Sequence, residues 1–123
     1  MPVFLLPQAI DRSAERFPER EALRFGDQSL TYAELAARTN SLARMLRGLG
    51  IQRGDRVGIY MNKSLESVIS LYGIMKAGGA YVPLDPFAPV SRVSFVLKDC
   101  GIKTLLTKEQ KLTELHELVA EGV

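Results

Sequence analysis

The tripeptide Asn62-Lys63-Ser64 stands between a short apolar run and a stretch with helical spacing. A cation and backbone amides at the carboxyl edge of a sheet are what α/β proteins use to hold anionic ligands. The same residues also describe a solvated lysine followed by an ordinary helix cap, because Ser is a favoured N-cap. Asp85 lies beyond a second apolar run, where a carboxylate could act as a general base. Its neighbours Pro86 and Pro89 favour the other role, an Asp that starts a turn by accepting from nearby amides. Arg92 opens a further helical pattern and has the fork that grips phosphate, although an arginine there is usually a solvated face. Cys100 and His116 are the only residues of their types. Neither has the partners of a nucleophile, base and orienter set, so packing is the default for both. No catalytic, cofactor-binding or metal-binding residue is assigned.

Ala77-Gly78-Gly79-Ala80 has the composition of a phosphate loop but not its context. Such loops follow a strand and lead into a helix whose N-terminal amides face the anion. Here the glycines follow a helical pattern and precede a strand pattern, so they are predicted to cap a helix C-terminus and permit close packing.

The elements that would position these residues alternate. Leu6, Ile10, Ala14 and Phe17 recur at helical spacing between Pro7 and Pro18, which suit a helix start and a helix stop. Residues 22–25 and 29–32 flank a Gly26-Asp27-Gln28 turn and read as a hairpin. Thr31 with Glu34 matches a capping box, and Leu35, Leu42, Leu46 and Leu49 are the predicted buried stripe of the helix that follows, closed by Gly48 and Gly50. Residues 57–61 read as a buried strand. The helix after Ser64 carries apolar residues in almost every direction, so it should pack on more than one side. Residues 80–84 and 102–106 are two more strands. Val93, Val96, Leu97 and Cys100 stripe one helix, and Leu112, Leu115 and Val119 a last one. Strands separated by single helices call for right-handed crossovers and a parallel sheet. The fold class is α/β: a partial parallel sheet with flanking helices plus a short N-terminal hairpin. Its edges would carry unpaired backbone groups unless something covers them, so self-association through an exposed sheet edge is an expectation.

Composition bounds the rest. The 123 residues make one domain or part of one, and such a chain can hide roughly 65% of its unfolded surface. Hydrophobic residues at 46% and charged residues at 24% are ordinary for a globular protein. Sixteen basic residues against fourteen acidic ones give +2, scattered rather than striped, so no nucleic-acid partner is expected. One Cys allows no internal disulfide and, with one His, no Cys/His metal cluster, which favours a cytoplasmic setting. Apolar runs stop well short of the about 20 residues of a membrane span, and the N-terminus lacks the charged region of a signal peptide.

Two segments carry a family resemblance. Leu30-Thr31-Tyr32-Ala33-Glu34-Leu35 and Met75-Lys76-Ala77-Gly78-Gly79-Ala80-Tyr81-Val82-Pro83-Leu84-Asp85-Pro86 resemble the first two core motifs of the adenylate-forming enzymes. Arg53-Gly54-Asp55-Arg56-Val57, Lys63-Ser64-Leu65-Glu66, Ala88-Pro89 and Arg92 extend the likeness over nearly the whole chain. The flavour is that of a carrier-protein ligase, an acyl-CoA synthetase or a nonribosomal peptide synthetase adenylation domain. The resemblance implies that residues 1–123 are the N-terminal portion of the larger domain of an AMP-forming ligase. Such a parent uses ATP and magnesium to turn a carboxylic or amino acid into an adenylate, then passes it to the thiol of coenzyme A or a carrier protein. It also implies that the phosphate loop, the nucleotide-binding aspartate and the catalytic lysine lie outside these residues, so the fragment is expected to be inactive alone. The competing expectation is a non-enzymatic α/β module that binds a protein partner through the uncovered sheet edge and the apolar face of the helix beginning at Leu65.

Overall fold

The computed structural model describes residues 6–123. In chain order these form α1 (Leu6–Arg16), β1 (Glu21–Phe25), β2 (Gln28–Thr31), α2 (Tyr32–Gly48), β3 (Arg56–Tyr60), α3 (Leu65–Lys76), β4 (Ala80–Pro83), α4 (Val90–Asp99), β5 (Thr104–Thr107), a 3-10 turn (Glu109–Lys111) and α5 (Leu112–Ala120). None of the described helices is long and apolar enough to cross a membrane.

Helix boundaries follow local chemistry. At the start of α2 the Glu34 amide donates to Thr31 Oγ1 at 3.1 Å and the Thr31 amide to Glu34 Oε1 at 2.9 Å, the reciprocal box predicted from the two side chains. Ser64 and Ser67 make the same exchange ahead of α3, at 3.2 and 3.0 Å. At the other end of α3, Gly78 takes φ 90° while the amides of Gly78 and Gly79 donate to the carbonyls of Met75 and Ile74, each at 3.0 Å. That is the Schellman pattern, which needs a residue free to turn left-handed. A Cβ on Gly79 would also stand 3.1 Å from the Asp55 carbonyl oxygen. The glycine pair is therefore a helix stop and a close approach.

The hairpin β1–β2 turns through Gly26-Asp27, with Phe25 opposite Gln28, and forms a ladder of its own rather than joining the main sheet. The main sheet is parallel, in the order β4-β3-β5. Alternate residues of β3 face opposite sides, as the period of a strand requires. Val57 and Ile59, with Met61 just beyond, pack against Ala43 and Leu46 of α2 and Ile74 of α3. Tyr60 packs the other way, with Leu84, Val93 and Leu97 and with Leu118 of α5. A third cluster joins Ile10, Leu30 and Leu35 to Leu65 and Ile69. Helix α3 thus serves two cores, which explains its nearly all-round apolar sequence.

Order and faces together create a crossing-over of direction. From β3 the chain passes through α3 to β4 on one side, then through α4, beneath the opposite face, to β5 on the other side. The loops leaving the neighbouring strands β3 and β5 therefore head for opposite faces, the arrangement that opens a crevice at the carboxyl ends of an α/β sheet.

Two predicted stripes are corrected. Leu49 is 66% exposed, because it caps α2 after Gly48 and lies past the last turn that touches the sheet; the buried positions are Leu35, Thr39, Ala43 and Leu46. In α5, Leu112 and Val119 are exposed and Leu118 is buried. One residue is about 100° of helix rotation, enough to swap the facing side chain.

Thr39 is buried for a polar reason. The Lys76 ammonium, with a side chain only 7% exposed, sits among Thr39 Oγ1, Asn40 Oδ1 and Asp11 Oδ1, each at 2.8 Å. One buried cation ties α1, α2 and α3, and each of its three donors finds an acceptor.

Candidate functional site

Among the openings at the carboxyl ends of the strands, two adjoin along Met61, Asn62, Lys63 and Ser64. The larger is a groove of about 1030 Å³ over β3 and β4. Val68, Leu71 and Tyr72 of α3 line one wall and Tyr81 and Pro83 of β4 another, so the interior is mostly apolar. Asn62, Lys63 and Ser64, after β3, and residues 85–87, after β4, also line it. The smaller is a crevice of about 180 Å³ between the loops that leave β3 and β5, where Lys63 meets Lys108, Gln110 and Lys111.

The structure brings Asn62-Lys63-Ser64 and Asp85 to the same groove and leaves the other candidates outside it. Ser64 caps α3. Lys63 is exposed and has no ion-pair partner among the described residues. Asp85 Oδ1 accepts from the Phe87 amide at 2.9 Å, which makes it the turn-forming Asp that its prolines suggested. The Arg92 guanidinium lies 5.7 Å from the Phe95 ring centre. Cys100 is a half-buried C-cap of α4 and His116 is exposed.

Residues that sequence reasoning passed over build the wall between the openings. Lys111 is buried, donates to the Pro86 carbonyl at 2.5 Å, and lies 5.2 Å from the ring centre of Tyr60 and 5.7 Å from that of Phe87. The two faces attract its charge through their quadrupoles. Thr107 Oγ1 donates to the Tyr60 carbonyl at 2.6 Å. The Tyr60 hydroxyl and Glu114 Oε2 are buried with no hydrogen-bond partner among the described residues. Burial raises the Tyr60 pKa above its ordinary 10.0, and the charges of Glu114 and Glu117 push the same way. Glu66 is held below 4.5, first by a backbone amide, its own, and further by Lys108, whose Nζ is 3.4 Å away. The available signal was the spacing of Lys108 and Lys111 just after a strand.

Chemically, this end of the molecule can enclose an apolar group and place positive charge beside it. The described residues hold no group of three or more His, Cys, Asp or Glu suited to a metal ion.

An open parallel sheet in the order β4-β3-β5, with the loops after β3 and β5 leaving toward opposite faces, is the arrangement of the doubly wound α/β class. A family model for AMP-binding enzymes matches residues 10–122, and the chain belongs to that family. It is 45% identical over 109 residues to tyrocidine synthase 2 of Brevibacillus parabrevis, covering 89% of this chain and 3% of that protein. It is similar to the nonribosomal peptide synthetase FmoA3 in its α-methyl-L-serine-AMP bound form, with a TM-score of 0.87, 37% identity, and coverage of 92% of this chain and 13% of that one. The Klebsiella oxytoca NpsA N-terminal subdomain in complex with anthranilyl-AMSN gives a TM-score of 0.79 at 32% identity, with 89% of this chain and 28% of that one covered. The chain thus spans only a small part of its relatives, 2% of gramicidin S synthase 2 among them. The expected superfamily and the α/β fold, a partial parallel sheet with flanking helices plus a short N-terminal hairpin, are both met.

Proposed function

We propose that these residues are the scaffold-forming opening portion of an ATP-dependent acid–thiol ligase, in which an amino or carboxylic acid becomes an adenylate and then a thioester. The observation that carries this reading is the match of residues 10–122 to the AMP-binding enzymes, with a fold superposable on a synthetase holding an aminoacyl-AMP. Peptide synthetase relatives favour an amino acid as substrate and a carrier-protein thiol as acceptor.

The work of such an enzyme is to hold polyanions and a carboxylate in line. These residues supply the sheet, the apolar groove and the helix caps that keep both rigid. They offer no phosphate loop for triphosphate: the glycine pair ends a helix rather than starting one. The parent would bring ATP and magnesium to parts beyond this scaffold, and the 123-residue chain alone is inactive. Carboxylate-dependent exchange of labelled pyrophosphate into ATP tests this. Background exchange is expected from the chain alone, and robust exchange would overturn its inactivity. The parentage is tested by reading the coding sequence past Val123 for a Thr, Ser and Gly-rich loop ending in Lys-Gly.

A second reading, a protein-binding α/β module, is favoured by the rim of the groove, where Phe87 is 83% exposed and Tyr81 41%. Strand addition at the β4 edge is poorly served. Ala80 and Leu84 donate toward β3, so the outward donors of β4 are those of residues 81 and 83, and Pro83 has none. At that edge a partner or second copy would seat on side chains instead. Light scattering separates the readings: self-association lost in Phe87→Ser supports the module, and a monomer at high concentration counts against it.

A further inference from the structure

The geometry points to an oxyanion site of the phosphate class in the crevice between the β3 and β5 loops, formed by Lys63, Lys108 and Lys111. It goes beyond the ligase reading, because it is a property of these residues whatever the parent catalyses.

Three observations carry it. The crevice lies where the chain leaving β3 and the chain leaving β5 diverge to opposite faces, the place where open α/β sheets bind ligands. Its lining holds three lysines and no acidic residue, beside the polar Asn62, Ser64 and Gln110. At about 180 Å³ it suits one small anion rather than a nucleotide. The cations are also differently placed. Lys111 is fastened by the Pro86 carbonyl and two aromatic faces and acts as a fixed charge. Lys63 has no competing ion pair among the described residues, while Lys108 is shared with Glu66 at 3.4 Å. The amides at the start of α3 add little: those of Ser64 and Ser67 are taken by the capping pair, and a backbone amide is taken by the Glu66 carboxylate. The site rests on side chains from two loops.

Glu66 gives the proposal a directional test, since its carboxylate competes with an incoming anion for Lys108. Inorganic phosphate is titrated into the 15N-labelled 123-residue chain at constant ionic strength, with chloride as reference. Saturable shifts confined to residues 61–64 and 107–111 are expected. Lys63→Gln or Lys108→Gln should weaken binding about tenfold, the scale of one charge-assisted hydrogen bond. Glu66→Gln should tighten it, and Lys103→Gln, on the exposed surface elsewhere, should leave it unchanged. The exposed position of Lys63 lets its variant fold normally. Shifts that stay linear, that chloride reproduces, or that persist in both Lys63→Gln and Lys108→Gln would overturn the site.

Discussion

Gly73 of α3 meets Leu42 of α2 so closely that a Cβ built on the glycine would stand 2.5 Å from Leu42 Cδ2 and 3.0 Å from its Cβ. The approach involves the base of the leucine as well as its tip, so rotation alone cannot relieve it. Gly73→Ala should therefore destabilise by about 1–2 kcal/mol, an overpacking cost reduced by the better helix propensity of Ala. Urea denaturation checks it. Combining Gly73→Ala with Leu42→Ala should recover part of the loss, because the two residues share one contact. Strict additivity would show that the clash is not the cause.

Removing the Lys76 ammonium leaves Thr39, Asn40 and Asp11 without their common donor. Lys76→Met, which keeps the stem, should cost about 2–3 kcal/mol, the scale of hydrogen bonds to a charged group. Asp11→Asn should cost less, because the Asp11 side chain is 49% exposed and its loss leaves a smaller desolvation penalty. Thermal unfolding of the two variants ranks them, and equal losses would contradict the asymmetry.

The carboxyl of Glu34 is held below 4.5 by the Thr31 amide first and the Thr31 side chain second. A carboxyl whose pKa is lower folded than unfolded stabilises above its unfolded value, and that contribution fades as pH falls through the folded value. Glu66 acts in the same direction. Stability should thus decline below pH 4.5, and Glu34→Gln should flatten part of that decline. Denaturation midpoints from neutral to acidic pH provide the test; an unchanged slope would refute the link.

The Tyr60 hydroxyl is buried with no acceptor or donor among the described residues. Tyr60→Phe should leave stability equal or higher, since it removes a polar atom that desolvation penalises. A loss of about 1 kcal/mol would instead mean that ordered water satisfies the hydroxyl. The raised pKa also implies an alkaline limb. Because burial penalises the phenolate, stability is unchanged by this titration below 10.0 and falls as pH rises from there through the folded value. Phenolate absorbance of the wild type and Tyr60→Phe reads it directly.

Much of the fold was legible in the sequence because its signals are local. Thr31 with Glu34, Ser64, and Gly78-Gly79 mark helix ends through hydrogen bonds spanning three to five residues. Leu49 and Val119 were misplaced because apolar spacing says which side chains repeat, not which turn reaches the sheet. Thr39 and Lys111 look like surface residues by type; distant partners bury them, Lys76 in one case and Pro86 in the other. The order β4-β3-β5 has no local signature, so the crevice joining Lys63 to Lys108 and Lys111 appears only once the strands are placed side by side.

The bond from Lys111 to the Pro86 carbonyl spans 25 positions. During synthesis the N-terminal part leaves the ribosome first, so the 85–87 turn emerges well before the lysine that anchors it. Its final shape must wait for the last strand and the residues behind it, and shortening the chain ahead of position 111 would leave that turn without its anchor.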